Sequence, residues 1–412
     1  MTGPRGQEGK EGQRRRGAWL PAVYAAIGIW LAWQILLGPV IQRAPPELAA
    51  QLAPTSPLVL SRGAESEFAA GRIENADFLA RARLRQSPFD VRALRVAGLV
   101  AARNGQDELA NEVVTLAGNW SLRDDPAHAW LIEYRLRRGD YGSAFAHADT
   151  LVRRREDVRT QVFDLFTTAA NSDPRSLPVL IDLLSVRPPW SESYFNDLYQ
   201  SPEGLQLATN LALGLQRTEG PISDAELRRL YYFLLQYAAP EGIAALRARL
   251  NRPPQPRTIV HDGDFETARG IQPFGWRLSD QAGLVAEIAT APTGGNALYV
   301  VYQGFGDNAL VDQLVAAAPG RYRLQGRLLT TNSASPSALS WVMTCAGGGA
   351  ARLSMSPAEY ETESSSDWTR FSADVEIPAT GCPVQWLKLD APSRDRSRAV
   401  DMWFDELALL PR

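Results

Sequence analysis

Three glycines spaced 34 residues apart constrain the fold of the first half of this chain more than any other sequence feature. They are Gly71, Gly105 and Gly139. An alanine follows each glycine five residues later: Ala76, Ala110 and Ala144. Two series with one period indicate repeated helical pairs, in which the glycine ends one helix and the alanine lets the next pack closely. The sequence therefore predicts units over about 57–90, 91–124 and 125–158.

These units resemble the tetratricopeptide repeat over residues 57–158. Besides the period and the turn glycine, Gly98 stands at the small position of a first helix and Pro88 at a unit end. The resemblance implies an all-α solenoid whose concave groove binds a peptide or protein partner. From 159 to 250 the register is lost but helical periodicity continues, so we expect the solenoid to span 57–250. The alternative is that the solenoid is only a spacer.

An uncharged run of 24 residues, 18–41, lies near the N-terminus. At about 1.5 Å per helical residue it is long enough to cross a hydrocarbon core of about 30 Å. Because basic residues cluster in the preceding segment, 1–17, the positive-inside rule predicts that this tail is cytoplasmic and the rest exported. A proline-rich spacer, 42–56, follows. A cleaved signal peptide is the alternative to a transmembrane helix.

The low lysine content points to the source of the chain. Only two of the 43 basic residues are lysines, which is typical of a GC-rich bacterial genome. We therefore expect a single-pass protein of the bacterial inner membrane, with residues 18–41 in contact with the membrane and the downstream domains in the periplasm.

The hydrophobic pattern changes at residues 251–257, a segment with three prolines that we interpret as a linker. After it, apolar and polar residues alternate, as in 320–328, 339–345 and 371–377. This period is typical of half-buried strands. At least six such strands, separated by Gly, Pro and Ser turns, predict an all-β sandwich or jelly roll over 258–412. The predicted fold class is thus multidomain.

An ordered set of motifs in this region resembles carbohydrate-binding modules of families 4 and 9. The motifs are Asp262–Glu266, Phe274–Trp276, Pro319–Gly326, Trp368–Phe371 and Trp403–Leu407. The resemblance implies a jelly roll, a glycan ligand and a structural calcium ion held by Glu266 and Asp405. The alternative is that both carboxylates are ordinary surface or turn groups. No other cofactor is expected.

Sugar recognition needs flat apolar faces and hydrogen-bonding groups. The candidate faces are Tyr302, Trp341 and Trp386, and the candidate hydrogen-bonding groups are Arg323, Gln325, Arg327 and Gln385. Arg323, Gln325 and Arg327 are favoured because alternation places them on one outward face of a strand. The alternative is that the aromatic residues belong to the core and that the Arg/Gln row is only the wet side of the sheet.

Cys345 and Cys382 are the only cysteines of the chain, and both lie in the predicted sandwich. If the domain is exported, it folds in an oxidising compartment, where paired cysteines form disulfides. We therefore expect a Cys345–Cys382 disulfide, with two buried free thiols as the alternative.

Composition argues against most catalytic and nucleic-acid-binding functions. The formal charge is −3 and the chain has only three histidines. His128 and His147 fall on different predicted helices, so we interpret them as structural rather than metal-binding residues. We find no nucleotide-binding loop, zinc-hydrolase helix or nucleophile elbow. The chain is therefore expected not to be an enzyme.

The predicted function is that of a non-catalytic, membrane-anchored periplasmic binding or assembly factor associated with a glycan or exopolysaccharide. The alternative is a protein scaffold of an envelope complex. In that case the solenoid groove binds the partner and the sandwich is structural.

Overall fold

The computed structural model describes residues 20–237, 239–250, 259–267, 270–279, 282–303, 309–331, 335–347, 352–362, 367–391 and 399–412. The chain divides into two compact units, Met1–Val158 and Arg159–Arg412. The multidomain organisation, helical first and β-rich second, is confirmed. The division falls before Arg159, so the later helices group with the strands. The expected linker, 251–257, lies outside the described residues.

The first unit is helical throughout its described part. Its α-helices are α1 (Leu20–Arg43), α2 (Pro46–Leu52), α3 (Pro57–Ala69), α4 (Ile73–Gln86), α5 (Val91–Arg103), α6 (Asp107–Trp120), α7 (Asp125–Arg137) and α8 (Tyr141–Val152). From α3 to α8 each helix contacts the next, and α3 also contacts α5. Neighbour-to-neighbour packing of this kind agrees with the predicted repeat solenoid.

The three repeat glycines end helices in the left-handed conformation. Their φ values are +75° at Gly71, +75° at Gly105 and +70° at Gly139. In each turn the residue after the glycine donates its N–H to the carbonyl five residues earlier, at 2.9 Å. This hydrogen bond satisfies a carbonyl that the helix end leaves unpaired. The predicted helix breaks are confirmed.

Small residues let the helices of each pair approach closely. The alanines five residues after the glycines, Ala76, Ala110 and Ala144, are fully buried. At Gly98 of α5, an added Cβ would lie 2.5 Å from Cγ2 of Val114 on α6. A larger side chain at this position would separate the two helices.

A buried arginine links the first helices of three consecutive pairs. Arg95 of α5 donates to both carboxylate oxygens of Asp124, at 2.6 and 2.7 Å, and also binds Glu65 of α3. Asp124 accepts the N–H of Ala127 at 3.1 Å and so caps α7. Arg95 is 9% exposed and Asp124 is 7% exposed, so leaving either charge unpaired would cost several kcal/mol of stability, roughly 3 to 5.

The N-terminal helix α1 covers most of the run for which a transmembrane helix is predicted. Among the helices of the described residues, none is both long enough and apolar enough to cross a membrane. The expectation of a transmembrane helix over 18–41 is therefore not supported.

The second unit begins with helices that lack the repeat. They are α9 (Arg159–Ser172), α10 (Ser176–Ser185), α11 (Ser191–Leu198), α12 (Pro202–Leu215), α13 (Asp224–Gln236) and α14 (Pro240–Leu250). Ser223 and Glu226 form a capping box at the start of α13, which satisfies free backbone N–H groups of its first turn.

Two antiparallel sheets follow. The strands are β1 (Arg277–Leu278), β2 (Leu284–Thr290), β3 (Asn296–Tyr302), β4 (Val311–Val315), β5 (Gly320–Thr330), β6 (Ser340–Cys345), β7 (Glu359–Thr362), β8 (Thr369–Ile377), β9 (Gln385–Asp390) and β10 (Val400–Pro411). In the described residues one sheet has the order β1-β4-β9-β6 and the other β2-β3-β10-β5-β8-β7. Inward side chains of both sheets form one core, which confirms the predicted sandwich.

The predicted disulfide is present between Cys345, at the end of β6, and Cys382, before β9. Their Cα atoms are 5.1 Å apart and the bond joins positions 37 residues apart. In the chain-entropy model, a loop of this length stabilises the fold by roughly 3 to 4 kcal/mol.

The Arg95 contacts generate a stability prediction. Replacing Asp124 by Ala leaves Arg95 buried without its main partner and removes the cap of α7. We expect a loss of about 3 to 5 kcal/mol in the free energy of unfolding, measured by urea denaturation.

The matched control is Glu67→Ala, which breaks an ion pair with Arg72 in the same unit. The Arg72 side chain is 55% exposed, so we expect this change to cost at most about 1 kcal/mol. Equal losses in the two variants would show that burial does not govern the Arg95 contacts.

Candidate functional site

Helices α13 and α14 pack against the loop that precedes β1. The ring of Phe274 lies 5.3 Å from the ring of Tyr231 on α13, edge to face, and the guanidinium of Arg247 on α14 lies 4.8 Å from it. All three residues are at most 4% exposed. Burial lowers the pKa of Arg247. This cluster holds the two helices beside the four-stranded sheet.

Strand β9 carries the main aromatic residue of the site. Leu387 and Leu389 point into the sandwich core, so alternation points Trp386 to the outer face of the four-stranded sheet. Trp386 remains partly exposed. The guanidinium of Arg277 on β1 lies 5.5 Å from the centre of the Trp386 ring. An apolar face and a positive charge are therefore adjacent on the sheet surface.

A buried carboxylate fixes the position of Arg277. Asp312 of β4 is 2% exposed, and its oxygens accept hydrogen bonds from Nε of Arg277 at 2.9 and 3.2 Å and from Nη2 at 2.5 Å. The two residues are register partners in neighbouring strands. This fork-to-carboxylate contact limits rotation of the guanidinium and leaves donors on Nη1 for another ligand.

Helix α13 supplies polar, aromatic and aliphatic side chains facing this sheet surface. They are Arg228, Arg229, Tyr232, Leu235 and Gln236. The spacing of 228, 232, 235 and 236 is that of one helix face. Tyr232 is 62% exposed. Its ring is thus available to a ligand, whereas the neighbouring Tyr231 is buried against Phe274.

Together these elements form a groove of about 620 Å³, called the helix–sheet groove below. Its sheet-side lining is Gln272, Pro273, Arg277, Asp312 and Trp386. A volume of this size lies within the range of about 300 to 1,000 Å³ of small-molecule sites. Two aromatic side chains, amides and guanidiniums suit a ligand with flat apolar faces and many hydroxyl groups.

The three favoured glycan candidates on β5 share one outward face, as expected, but two of them are engaged in ion pairs. Arg323 donates from Nε to Asp374 at 3.1 Å. Arg327 donates from Nη2 to Asp405 at 2.6 Å, and its guanidinium lies 4.7 Å from the ring centre of Trp368. Gln325 lies between them and is partly exposed. This face belongs to the six-stranded sheet and does not line the helix–sheet groove.

Three of the other four glycan candidates are buried. Tyr302 is 5% exposed, Trp341 is 7% exposed and Gln385 is fully buried. The Gln385 amide binds the backbone of Ala317 and Cys382. Alternation turns these side chains inward, so they do not offer a surface to a glycan. Of the aromatic faces expected from the sequence, only Trp386 lies in the groove.

The two carboxylates expected to hold calcium have other partners. Glu266 accepts hydrogen bonds from the backbone N–H of Asn296 at 2.7 Å and from its Nδ2 at 3.1 Å. Asp405 binds the guanidinium of Arg327 and the N–H of Glu406. No group of three or more metal-ligating side chains occurs in the described residues. A guanidinium on Asp405 competes with a cation, so these contacts do not fit a shared calcium ion.

Most groove residues are not predictable as a site from the sequence. Tyr232, Gln236, Arg277 and Asp312 belong to no motif, and only the helical spacing within α13 gives a local signal. Their proximity arises from the packing at Phe274, which joins segments far apart in the chain.

Comparisons with known proteins give weak similarities. No protein-family model matches the chain, and no curated protein matches it significantly. Among solved structures, the CBM22-1 xylan-binding domain from Paenibacillus barcinonensis Xyn10C has 14% identity and a TM-score of 0.26, covering 36% of this chain and 91% of that one.

Two further structures are similar over comparable lengths. A CBM4 structure has 10% identity and a TM-score of 0.23, covering 37% of this chain and 99% of that one. The mannan-recognising module TmCBM27 has 16% identity and a TM-score of 0.24, covering 33% of this chain and 88% of that one. TM-scores of this size show neither a shared binding site nor a shared ligand.

Outside the groove, the structure brings together the two histidines that the sequence placed on separate helices. Nδ1 of His128 on α7 lies 3.0 Å from Nδ1 of His147 on α8. Burial has the largest effect on the pKa of His147. Together with electrostatic repulsion from His128 and Arg135, it lowers this pKa to about 4. Burial also lowers the pKa of His128. Both rings are therefore neutral at pH 7.

This pair generates a prediction about acid stability. The pKa of His147 is about 4 in the folded chain, against a reference value of 6.5, so the unfolded chain binds more protons between these values. The contribution of neutral His147 to the free energy of unfolding is therefore complete above about pH 6.5, and it is lost as the pH falls from 6.5 to 4. We expect His147→Gln to remove about 1 to 2 kcal/mol of this loss, after allowance for solvent screening.

The measurement is urea denaturation of both proteins from pH 7.5 to pH 4. The difference at the highest pH serves as the baseline, because it reports the packing effect of the substitution alone. Curves that stay parallel over the whole range would contradict a role for His147 in acid destabilisation.

Proposed function

We propose that this chain is a non-catalytic glycan-binding protein and that the helix–sheet groove is its binding site. The observation that carries the proposal is the pair Trp386 and Tyr232, which line one groove from the sheet and from the helix. Pyranose rings have apolar C–H faces that pack on such side chains, as apolar surfaces do on aromatic rings generally.

The polar lining supports the same ligand class. Gln236 and Gln272 each offer an amide with donors and an acceptor, and Arg277 offers donors in a fixed orientation. Hydroxyl groups both donate and accept hydrogen bonds. A lining with donors and acceptors therefore suits a sugar better than it suits a purely apolar ligand. No step of bond making or breaking is assigned to these residues.

We further propose that the chain works outside the bacterial cytoplasm, in the periplasm, on an exported polysaccharide. The Cys345–Cys382 disulfide supports this location, because structural disulfides persist in oxidising compartments and are rare in the cytosol.

A second candidate function is a protein scaffold that uses the first unit. Phe89 and Trp120 are 55% and 56% exposed, and their ring centres are 4.7 Å apart. Exposed aromatic side chains in contact are typical of protein interfaces. In this alternative the partner binds the first unit and the groove has no ligand.

The glycan proposal predicts the effect of removing either aromatic face. In the full chain, Tyr232→Ala and Trp386→Ala should each weaken polysaccharide binding at least about tenfold, because a central aromatic contact contributes roughly 2 kcal/mol or more. Binding is measured by affinity electrophoresis in gels containing xylan, mannan, alginate or polygalacturonate. Tyr232→Ala is informative even if Trp386→Ala unfolds, because Tyr232 is largely exposed.

The matched control is Trp120→Ala, which removes an aromatic side chain of similar exposure from the other unit. It should leave polysaccharide binding unchanged. If the folded chain migrates identically in all gels, the glycan proposal fails and the scaffold becomes the better hypothesis.

The location predicts the redox state of the cysteines in cells. In extracts prepared with acid quenching, a thiol reagent should label neither Cys345 nor Cys382 until a reductant is added, whereas Cys345→Ser should expose one reactive thiol. Labelling of both cysteines without reduction, with the chain in its native host, would contradict the periplasmic location.

A further inference from the structure

The helix–sheet groove carries more positive than negative charge. Three guanidiniums line it, on Arg228, Arg229 and Arg277, with one carboxylate, on Asp312. At its rim Arg229 pairs with Glu192 at 2.6 Å. The groove and this rim pair thus hold three positive and two negative groups, in a chain whose formal charge is −3.

Lys388 adds a further positive group beside the groove. It follows Trp386 by two residues on β9 and therefore lies on the same outer face. It is also the register partner of Asp312. Positive side chains on β9 and β1 therefore lie on the same outer face of the sheet as the Trp386 ring.

Arg228 and Arg277 differ in how they can meet a ligand. Arg277 is held by Asp312, so its free Nη1 donors have a fixed position next to the Trp386 ring. Arg228 is exposed and forms no ion pair with any residue in the described part of the chain. Arg277 therefore presents donors in a fixed direction, and Arg228 presents an unneutralised charge on the facing helix.

We infer that the ligand of this groove is an acidic glycan, whose carboxylates bind Arg277 and Arg228 while its rings pack on Trp386 and Tyr232. Guanidinium groups bind carboxylates through paired N–H donors, and the adjacent aromatic ring excludes water from the contact. The inference rests on the proposed function, since it names the class of glycan for the same site.

A neutral glycan would pack on the same aromatic rings but would gain little from the positive charges of the groove. Its hydroxyl groups can accept from Arg277, but the charge of Arg228 and Lys388 would remain solvated and would contribute nothing specific. Preference for an acidic polymer should therefore depend on charge and weaken with ionic strength, because salt screens exposed groups.

The test compares acidic polymers with uncharged polymers of the same linkage. Polygalacturonate and polymannuronate are each paired with their carboxyl-reduced derivatives, and binding to the full chain is measured by calorimetry. We expect the acidic member of at least one pair to bind at least about tenfold tighter at about 0.02 M salt, with the preference largely lost near 0.5 M.

Two variants locate the effect. Arg228→Gln changes an exposed residue and should reduce the acidic preference, because it weakens binding to the acidic polymer more than binding to the reduced polymer. Arg277→Gln should reduce it further if the chain remains folded, as checked by thermal melting. The control Arg85→Gln removes one exposed charge from α4 in the other unit and should change nothing.

The outcomes separate this inference from the proposed function. Equal binding of acidic and reduced polymers at about 0.02 M salt overturns the acidic preference and leaves glycan binding intact. A preference that survives Arg228→Gln and a folded Arg277→Gln also overturns it, because the charge then acts elsewhere. Binding of neither kind of polymer to the folded chain removes both.

Discussion

The packing of Phe274 between Tyr231 and Arg247 is the contact on which the candidate site depends. It joins two helices to a loop of the sandwich, and it buries a guanidinium against an aromatic face where water is excluded. Because Tyr231 points into this contact, its neighbour Tyr232 points about a quarter turn away, towards the sheet. The helix–sheet groove thus depends on how α13 is rotated about its own axis. The capping box at Ser223 fixes the residue at which this helix begins.

The parts of the fold that follow from the sequence are those with a local cause. The glycine turns need a left-handed backbone, which glycine adopts without a steric penalty, so the period of Gly71, Gly105 and Gly139 is sufficient to predict the breaks. Strand alternation places the β5 face correctly for the same reason, since the pleat alone decides which side chains point outward. The pairing Cys345–Cys382 was also predictable, because only one pairing of two cysteines exists, whereas the expectation that the bond forms rested on export to an oxidising compartment.

The site could not be predicted to the same extent, because its residues meet only through long-range packing. Trp386 is a candidate from the sequence, yet Tyr232 and Arg277 are far from it along the chain and have no motif. The ion pairs of Arg323 and Arg327 are equally non-local, since their partners Asp374 and Asp405 lie on neighbouring strands. A row of outward polar residues has the same sequence pattern whether its side chains bind a ligand or pair with carboxylates of neighbouring strands.

Asp124 and Asp312 show two uses of a buried carboxylate in one chain. Asp124 is enclosed with Arg95, caps a helix and links helical pairs, so all its hydrogen-bonding capacity serves the fold. Asp312 is as deeply buried, but its partner Arg277 extends into the groove with a side chain that is 58% exposed. A buried ion pair contributes little net stability, because desolvation offsets most of the attraction. The pair at Asp312 is therefore better explained by the orientation it imposes on Arg277, where a guanidinium of fixed direction lies beside an aromatic ring.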